Sequence, residues 1–367
     1  MTIMIEDYRP VRSQRDLFLA NRTPLSPRSY EELISYEIAW IDKLLAPLMD
    51  QSVAVESFDR FRGLLKDLIQ KDADSPPPSC AFLAQEMTLE QFKELVEQFA
   101  VDGLTEAQAF PAIIPRLPIR AQMPIQRILI DEFGCGALEQ MHTHLYCLLL
   151  EELGSPLDLD YFVENAIDPV FEFVNIFHWM TKRAPDIEYF LGALSWFEGV
   201  VPIFFKPYVE ACDRLGIKAH HYFSEHIHID HYHAQSALLA IRETAKSVSI
   251  NYKKVWAGAQ LAQSVAGQAF DSAVELTRGC EGASRAKTFR LQVDGREYLA
   301  PWECSHRKGW LKHGKVNRTR EGKSFLVCPL HFSTFDVQTG KRLSGPATRD
   351  LTIVELPCPK PLRPDYI

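Results

Sequence analysis

Four stretches of this 367-residue chain gather residue types that hold metals. Cys304 and His306 form Cys-x-His, and Cys328 and His331 form Cys-x-x-His. Upstream, Ala219 to His233 holds six of the twelve histidines, and His226, Asp230 and His233 fall there at i, i+4 and i+7. That spacing places all three on one face of a helix. The stretch DEFGCGALEQMHTHLY offers Glu132, Glu139 and His142, and Glu139-x-x-His142 is an i, i+3 pair of the kind that holds metal inside helical bundles. Glu198 stands alone in the apolar run ALSWFEGVVPIFF, where a carboxylate is costly unless it meets a cation or a metal. Glu106, expected on the preceding helix, is a further acid of the same kind.

Two loops that each give one Cys and one His can supply two thiolates to one iron and two neutral imidazoles to a second. Exchanging thiolates for imidazoles raises the reduction potential. Around these four residues, Gly309, the aromatic run Phe332 to Phe335, Asp336 with Gly340, Gly345-Pro346-Ala347 and the strand-like DLTIVEL complete a pattern. Over residues 287–356 it resembles the Rieske ferredoxins. The resemblance implies a [2Fe–2S] cluster held by Cys304, His306, Cys328 and His331. A structural zinc site uses the same ligand types, but it does not carry the flanking pattern. The interval from His306 to Cys328 is longer than the family's commonest one. Cys280 and Cys358 lie outside the motif and read as ordinary thiols.

The elements that must position these residues change character along the chain. From Tyr30 to Thr277, apolar positions recur every three or four residues, as in SYEELISYEIAWIDKLLAPLM and TLEQFKELVEQFAVDGL. Thr88 with Gln91 is a capping box, Gly216 a helix stop, and Asp74 to Ser79 (DSPPPS) a break between helices. After Gly279, short β-like runs (TFRLQV, REYLAPW, KSFLVCP) alternate with turn residues. The expected architecture is an irregular arm over 1–28, an all-α bundle over 29–280 and a small all-β domain over 285–367, with the boundary at Gly279 to Ser284.

The bundle resembles the haem-oxygenase-like di-iron oxidases over about residues 85–245. The likeness rests on D-E-F-G-C-G-x-x-E-x-x-H, the mid-helix Glu198 and His226-x-x-x-Asp230-x-x-His233. It implies two non-haem irons on His142, Glu198, His226, Asp230 and His233, with Glu139 or Glu132 as the first carboxylate. Some members that oxidise nitrogen use an extra carboxylate. Haem, the rival cofactor for such a fold, is disfavoured by three acids facing one site. His220, His221, His228 and His231 read as a solvated helix face, and Trp196, Phe197, Phe204 and Phe205 as core or pocket lining.

The combination implies an O2-dependent di-iron oxygenase that carries its own electron-delivery module. An external ferredoxin or flavin reductase is the expected donor, since no Gly-rich nucleotide fingerprint is present. N-oxygenation of a small amine or amino-acid-derived natural-product precursor is the first expectation. The alternatives are oxidative C–C cleavage or desaturation at the same site, and a non-catalytic electron carrier with a helical docking scaffold. An ordinary Rieske oxygenase has its cluster module first and a mixed α/β catalytic domain, the reverse of this order. The link at the boundary permits the cluster to serve its own bundle or that of a second subunit in a homodimer. A net charge of −8 with dispersed Lys and Arg argues against nucleic-acid binding. No apolar run spans a membrane, and the polar start lacks a secretory signal, so the chain is expected in the cytoplasm.

Overall fold

The helical periodicity between Tyr30 and Thr277 becomes a set of α-helices in the computed structural model, which describes residues 10–279, 287–306, 309–319 and 321–356. They are α1 (Gln14–Asn21), α2 (Pro27–Met49), α3 (Phe58–Asp74), α4 (Pro78–Gln85), α5 (Leu89–Gly103), α6 (Ile119–Glu132) and α7 (His142–Glu152), then α8 (Leu159–Asn165), α9 (Asp168–Lys182), α10 (Glu188–Phe204), α11 (Lys206–Leu215), α12 (His221–Ala245) and α13 (Tyr252–Arg278). The chain divides into a helical unit and a unit of β-strands. Most of the expected boundary at Gly279 to Ser284, together with Cys280 and Cys358, lies outside the described residues.

Local chemistry sets the ends of the helices. Thr88 and Gln91 close the capping box at the start of α5. Gly216 ends α11 in the left-handed conformation that only glycine enters cheaply. The expected irregular arm is corrected in part. Ser13 caps α1, and Leu17 and Phe18 are fully buried, with the Phe18 ring 5.5 Å from that of Phe171 on α9. Pro10 and Pro24 flank this helix and do not interrupt it.

The core of the bundle is the crossing of α10 and α13. A Cβ on Gly192 would stand 1.7 Å from the Val255 carbonyl oxygen, and one on Gly258 would stand 2.1 Å from that of Tyr189. The two backbones therefore touch, which any side chain at either position would forbid. Phe190 and Leu191, both fully buried, fill the space around the crossing. Each such side chain contributes about 1.5–3 kcal/mol through burial. α10 also packs on α12, and α12 on α6, so three long helices meet in one interior.

The β unit has two antiparallel sheets. β1 (Thr288–Val293), β2 (Arg296–Pro301) and β7 (Val354–Glu355) form one, in the order β1-β2-β7. β3 (Lys315–Arg318), β4 (Ser324–Val327), β5 (Thr334–Asp336) and β6 (Arg342–Ser344) form the other, in sequence order. Asp294-Gly295, both at positive φ, make the two-residue turn that joins β1 to β2 in a right-twisted hairpin. The long interval between His306 and Cys328 is taken up by a turn at Leu311–His313 and by the first pair of the second sheet. Of the expected strand DLTIVEL, only Val354–Glu355 pairs.

Replacing Gly258 by Ala should lower stability by about 1–3 kcal/mol, as overpacked helix contacts do, read as a fall in the urea midpoint at unchanged slope. A midpoint equal to that of the parent would show that the crossing relaxes freely.

Candidate functional site

Glu132 is the last residue of α6, and from there it faces both ends of a buried polar cluster. Its Oε2 lies 2.9 Å from His142 Nδ1, and its Oε1 lies 3.5 Å from His233 Nδ1. On the first side, His142 Nδ1 stands 3.0 Å from His226 Nε2, which is itself 3.0 Å from Glu106 Oε1. On the second side, His233 Nδ1 lies 3.3 Å from Glu198 Oε2 and 3.3 Å from Asp230 Oδ1. Glu106, Glu132, His142 and His226 form one metal-sized group of donors, and Glu132, Asp230 and His233 a second. Glu132 belongs to both.

The imidazoles are oriented from behind. His226 donates from Nδ1 to the Tyr222 carbonyl at 2.7 Å, which turns Nε2 toward the cluster. His233 Nε2 lies 3.3 Å from Asp131 Oδ2, which turns Nδ1 inward. The Tyr222 hydroxyl donates to Glu106 Oε1 at 3.1 Å. Outer partners of this kind fix the tautomer of a metal-ligating histidine.

Two irons fit this donor set. Glu106 Oε2 is buried without a hydrogen-bond partner among the described residues, and Glu132 Oε2, Asp230 Oδ1 and His233 Nδ1 meet other members of the cluster at contact distance but without hydrogen-bond geometry. Each unsatisfied buried atom costs about 1–3 kcal/mol, and these four converge on one interior. The charges agree. Burial opposes ionisation, yet Asp230 and Glu198 push the His233 imidazolium up to about 11. Glu106, Asp230 and Glu132 raise His226 against the same penalty. Burial and neighbouring Asp230 lift Glu198 to about 8. Burial alone would raise Glu132, but His142, His226 and His233 hold it below the usual carboxylate range. The metal-free cluster thus stores protons where cations would sit.

The expected ligands His142, Glu198, His226, Asp230 and His233 are therefore brought together, with Glu132 as the shared carboxylate. Glu139 is not among them. Gly134, Cys135 and Gly136 all take positive φ and turn the chain off α6. A Cβ on Gly134 would stand 2.5 Å from the Met141 nitrogen, so the loop folds tightly back on itself. Glu139 sits exposed on the 3-10 turn Leu138–Gln140, and Met141 is extended before α7 begins at His142. The i, i+3 helical pair does not form, because the helix starts after Glu139. Glu106 lies in the turn after α5, beyond the helix expected to carry it. His221, His228 and His231 are exposed and His220 half-buried.

Several residues around the cluster carry no signal strong enough for sequence reasoning to single them out. Asp131 orients His233, and its adjacency to Glu132 is the only local hint. Asp102, in the last turn of α5, precedes Glu106 by four residues, and burial and then Glu106 raise its carboxyl well above the usual range. His178 on α9 lines the chamber beside the cluster. Burial, followed by Lys182 and Arg183, holds it neutral, at about 3. Trp196, Phe197, Phe204 and Phe205 line an apolar cavity.

In the β unit, Cys304 and His306 leave the end of β2, and Cys328 and His331 leave the end of β4. The donors pair by type. Burial and then the adjacent Cys328 raise the Cys304 thiol, partly offset by the His306 backbone. The His306 and His331 rings meet edge to face with centroids 4.7 Å apart. Two sulfurs together and two imidazoles together suit a two-iron cluster with unlike ends. Tight turns hold the loops. The Cys304 N–H donates to the Gly309 carbonyl at 2.8 Å, and the Cys328 N–H to that of Ser333 at 2.8 Å. A Cβ on Gly309 would come 2.9 Å from Cys328 Sγ, so glycine keeps the cluster space open.

Loading Fe(II) into the metal-free bundle should release protons, chiefly from His233 and His226, and apparent affinity should rise with pH below about 11. Calorimetry in buffers of different ionisation enthalpy reads this, and loading without proton release would contradict the ligand set. Glu132→Ala should empty both iron positions while Glu139→Ala keeps them. Asp131→Asn should weaken iron retention about 10–100-fold. Iron analysis after a chelator challenge distinguishes all three.

Residues 93–267 match the family described as iron-containing redox enzyme, and residues 265–357 match the Rieske [2Fe–2S] domain. A nitrosourea synthase from Streptomyces achromogenes subsp. streptozoticus is 28% identical over 149 residues, covering 38% of this chain and 30% of that protein. The match thus spans under a third of that relative's length. A domain of unknown function with a heme oxygenase-like fold from Shewanella denitrificans OS217 superposes with a TM-score of 0.49 and 12% identity, over 63% of this chain and 98% of that one. The donor sets and both domain matches agree: the chain is an iron-containing redox domain of the haem-oxygenase-like class fused to a C-terminal Rieske [2Fe–2S] domain.

Proposed function

We propose that the chain is an O2-dependent di-iron oxygenase that draws electrons through its own Rieske cluster and oxygenates the nitrogen of a small amine or amino-acid-derived precursor. The observation that carries this reading is Glu132, whose two oxygens address two separate donor groups, each of a size to hold one ion. Bound iron would supply O2 activation. The chain's own residues divide the remaining work. Glu106, His142 and His226 define one position, Glu198, Asp230 and His233 the other, and the aromatic lining keeps bulk water from the side that faces the cavity.

Nitrogen oxygenation explains the need for a cluster. Converting an amine to a hydroxylamine places one oxygen atom on nitrogen and sends the other out as water. That consumes two electrons and two protons from outside the substrate. Glu106 supports the choice of nitrogen as an extra carboxylate beyond the six other donors, and so does a relative named for making a nitrosourea. His331 is exposed at the cluster edge, where an external ferredoxin or flavin reductase could reach it.

Anaerobically prepared protein should contain about four irons per chain, two in the cluster and two in the bundle, resolved by Mössbauer spectroscopy. About two irons, all in the cluster, would leave an electron carrier. Cys328→Ser should lose the cluster's visible spectrum but still oxygenate an amine once after chemical reduction. Loss of that single turnover would show that delivery and chemistry are not separable.

A further inference from the structure

Beside the iron-ligand cluster lies a cavity of about 220 Å³, larger than a cavity of about 150 Å³ that holds benzene. Its wall is aromatic and aliphatic, with Trp196, Val200 and Phe270 among its members. It shares Asp102, Phe173 and Phe197 with the small chamber lined by Glu106, Glu132, Glu198, His226 and Asp230. Those three residues mark where the two spaces meet.

The wall contains two carboxylates, and their situations differ. Asp72 accepts from Gln263 Nε2 at 2.8 Å on both oxygens, so its bonding is met within the fold. Asp102 has no such partner among the described residues. Of the nearby hydroxyls, Tyr222 donates to Glu106 and Tyr146 donates to the Val96 carbonyl at 2.6 Å. Of the groups that act on Asp102, Glu106 and Glu132 oppose its charge and His226 favours it; none is a Lys or Arg. Five acids line the chamber. If the other four bind two divalent irons, their charges cancel and His226 serves iron as a neutral imidazole, so that Asp102 has no acid opposing its ionisation and no cation beside it. A carboxylate at the end of an apolar slot accepts an ammonium group well and rejects an anion.

We propose that this cavity is the substrate site and takes an amine with an apolar body about the size of one six-membered ring, its ammonium group paired with Asp102 at the edge of the iron chamber. The assignment rests on the N-oxygenase reading for its consequence, which is that the nitrogen, once its ammonium proton has passed to the Asp102 carboxylate, is the substrate atom presented to the irons. Asp102 is then a specificity residue, and the aromatic walls set the size of the body it accompanies.

The test is calorimetric titration of the iron-loaded full chain, under argon, with 2-phenylethylamine, 2-phenylethanol and 3-phenylpropanoate. The amine should bind at least tenfold more tightly than the other two. Asp102→Asn, close in shape, should weaken the amine at least tenfold and leave the alcohol unchanged, with iron content and the cluster spectrum intact. Val200→Trp, which fills the slot, should abolish binding of the amine. No binding of the amine, equal binding of the carboxylate, or an Asp102→Asn protein that still prefers the amine would each overturn the assignment. The underlying reading fails separately. Amine binding that depends on Asp102, without any oxygenated nitrogen product, keeps the cavity assignment and removes N-oxygenation. An oxygenated product from a polar amine, indifferent to Asp102→Asn, removes the cavity assignment and keeps N-oxygenation.

Discussion

Four carboxylates and three imidazoles cluster in an interior walled largely by phenylalanine, alanine and valine, with Asp102 and His178 beside them, and a low-dielectric medium does not tolerate that many like charges without cations. Glu106, Glu132, Glu198 and Asp230 together carry four negative charges when ionised. Without metal, the cluster reduces the conflict by keeping protons on His226 and His233 and by raising Glu198 toward neutrality. Two divalent irons would cancel the four charges and leave all three imidazoles neutral, which is the protonation state that binds metal. The same residues are thus an expensive core or an inexpensive metal site, and the buried atoms at Glu106, Glu132, Asp230 and His233 that make no hydrogen bond among the described residues favour the second.

The fold meets this demand with long helices and two kinds of glycine. Close approach at Gly192 and Gly258 locks α10 against α13, which fixes the depth of Glu198. α12 delivers His226, Asp230 and His233 from one face, because a helix returns to that face every three or four residues. Glu132 and His142 need a different device, since they approach from successive helices with a reversal between them. The positive-φ run Gly134-Cys135-Gly136 supplies that reversal, and the tight packing of Gly134 on Met141 sets where α7 begins.

Much of this is legible in the sequence. The His226, Asp230 and His233 spacing, the isolated Glu198 and the two Cys/His loops carry their meaning in residue type and periodicity. The capping box at Thr88 and the stop at Gly216 are readable because each depends on a few adjacent residues. The consequence of a local break is not. Glu139 and His142 have helical spacing, but the glycines before them make a turn, and spacing alone does not reveal where a helix starts. Asp131, Asp102 and His178 escape notice for a related reason. Asp131 meets His233 across 102 residues, and Asp102 and His178 matter for the chamber they line with residues of other helices, contacts that no short-range pattern records. The arm reads as irregular because its helix is only two turns long, below the length at which periodicity stands out.

The cluster also has two unlike sides. Asp131, Gln140, His142, His221 and Glu225 border a cavity of about 270 Å³ with mixed polar and apolar walls. The opposite side opens toward aromatic rings and the lone Asp102. An oxygenase of the kind proposed above would use this difference, because its protons must come from water while its oxidising power must be kept from water. A polar side that reaches His142 and Asp131 can exchange protons with solvent through groups that already hydrogen-bond. An apolar side can seat an organic molecule and offers water few polar partners. His178 belongs to the second side and is held neutral there, so it adds a polar atom to the chamber without adding a charge the irons would have to oppose. On that reading, the placement of side chains on α6, α9 and α12 keeps proton traffic apart from substrate.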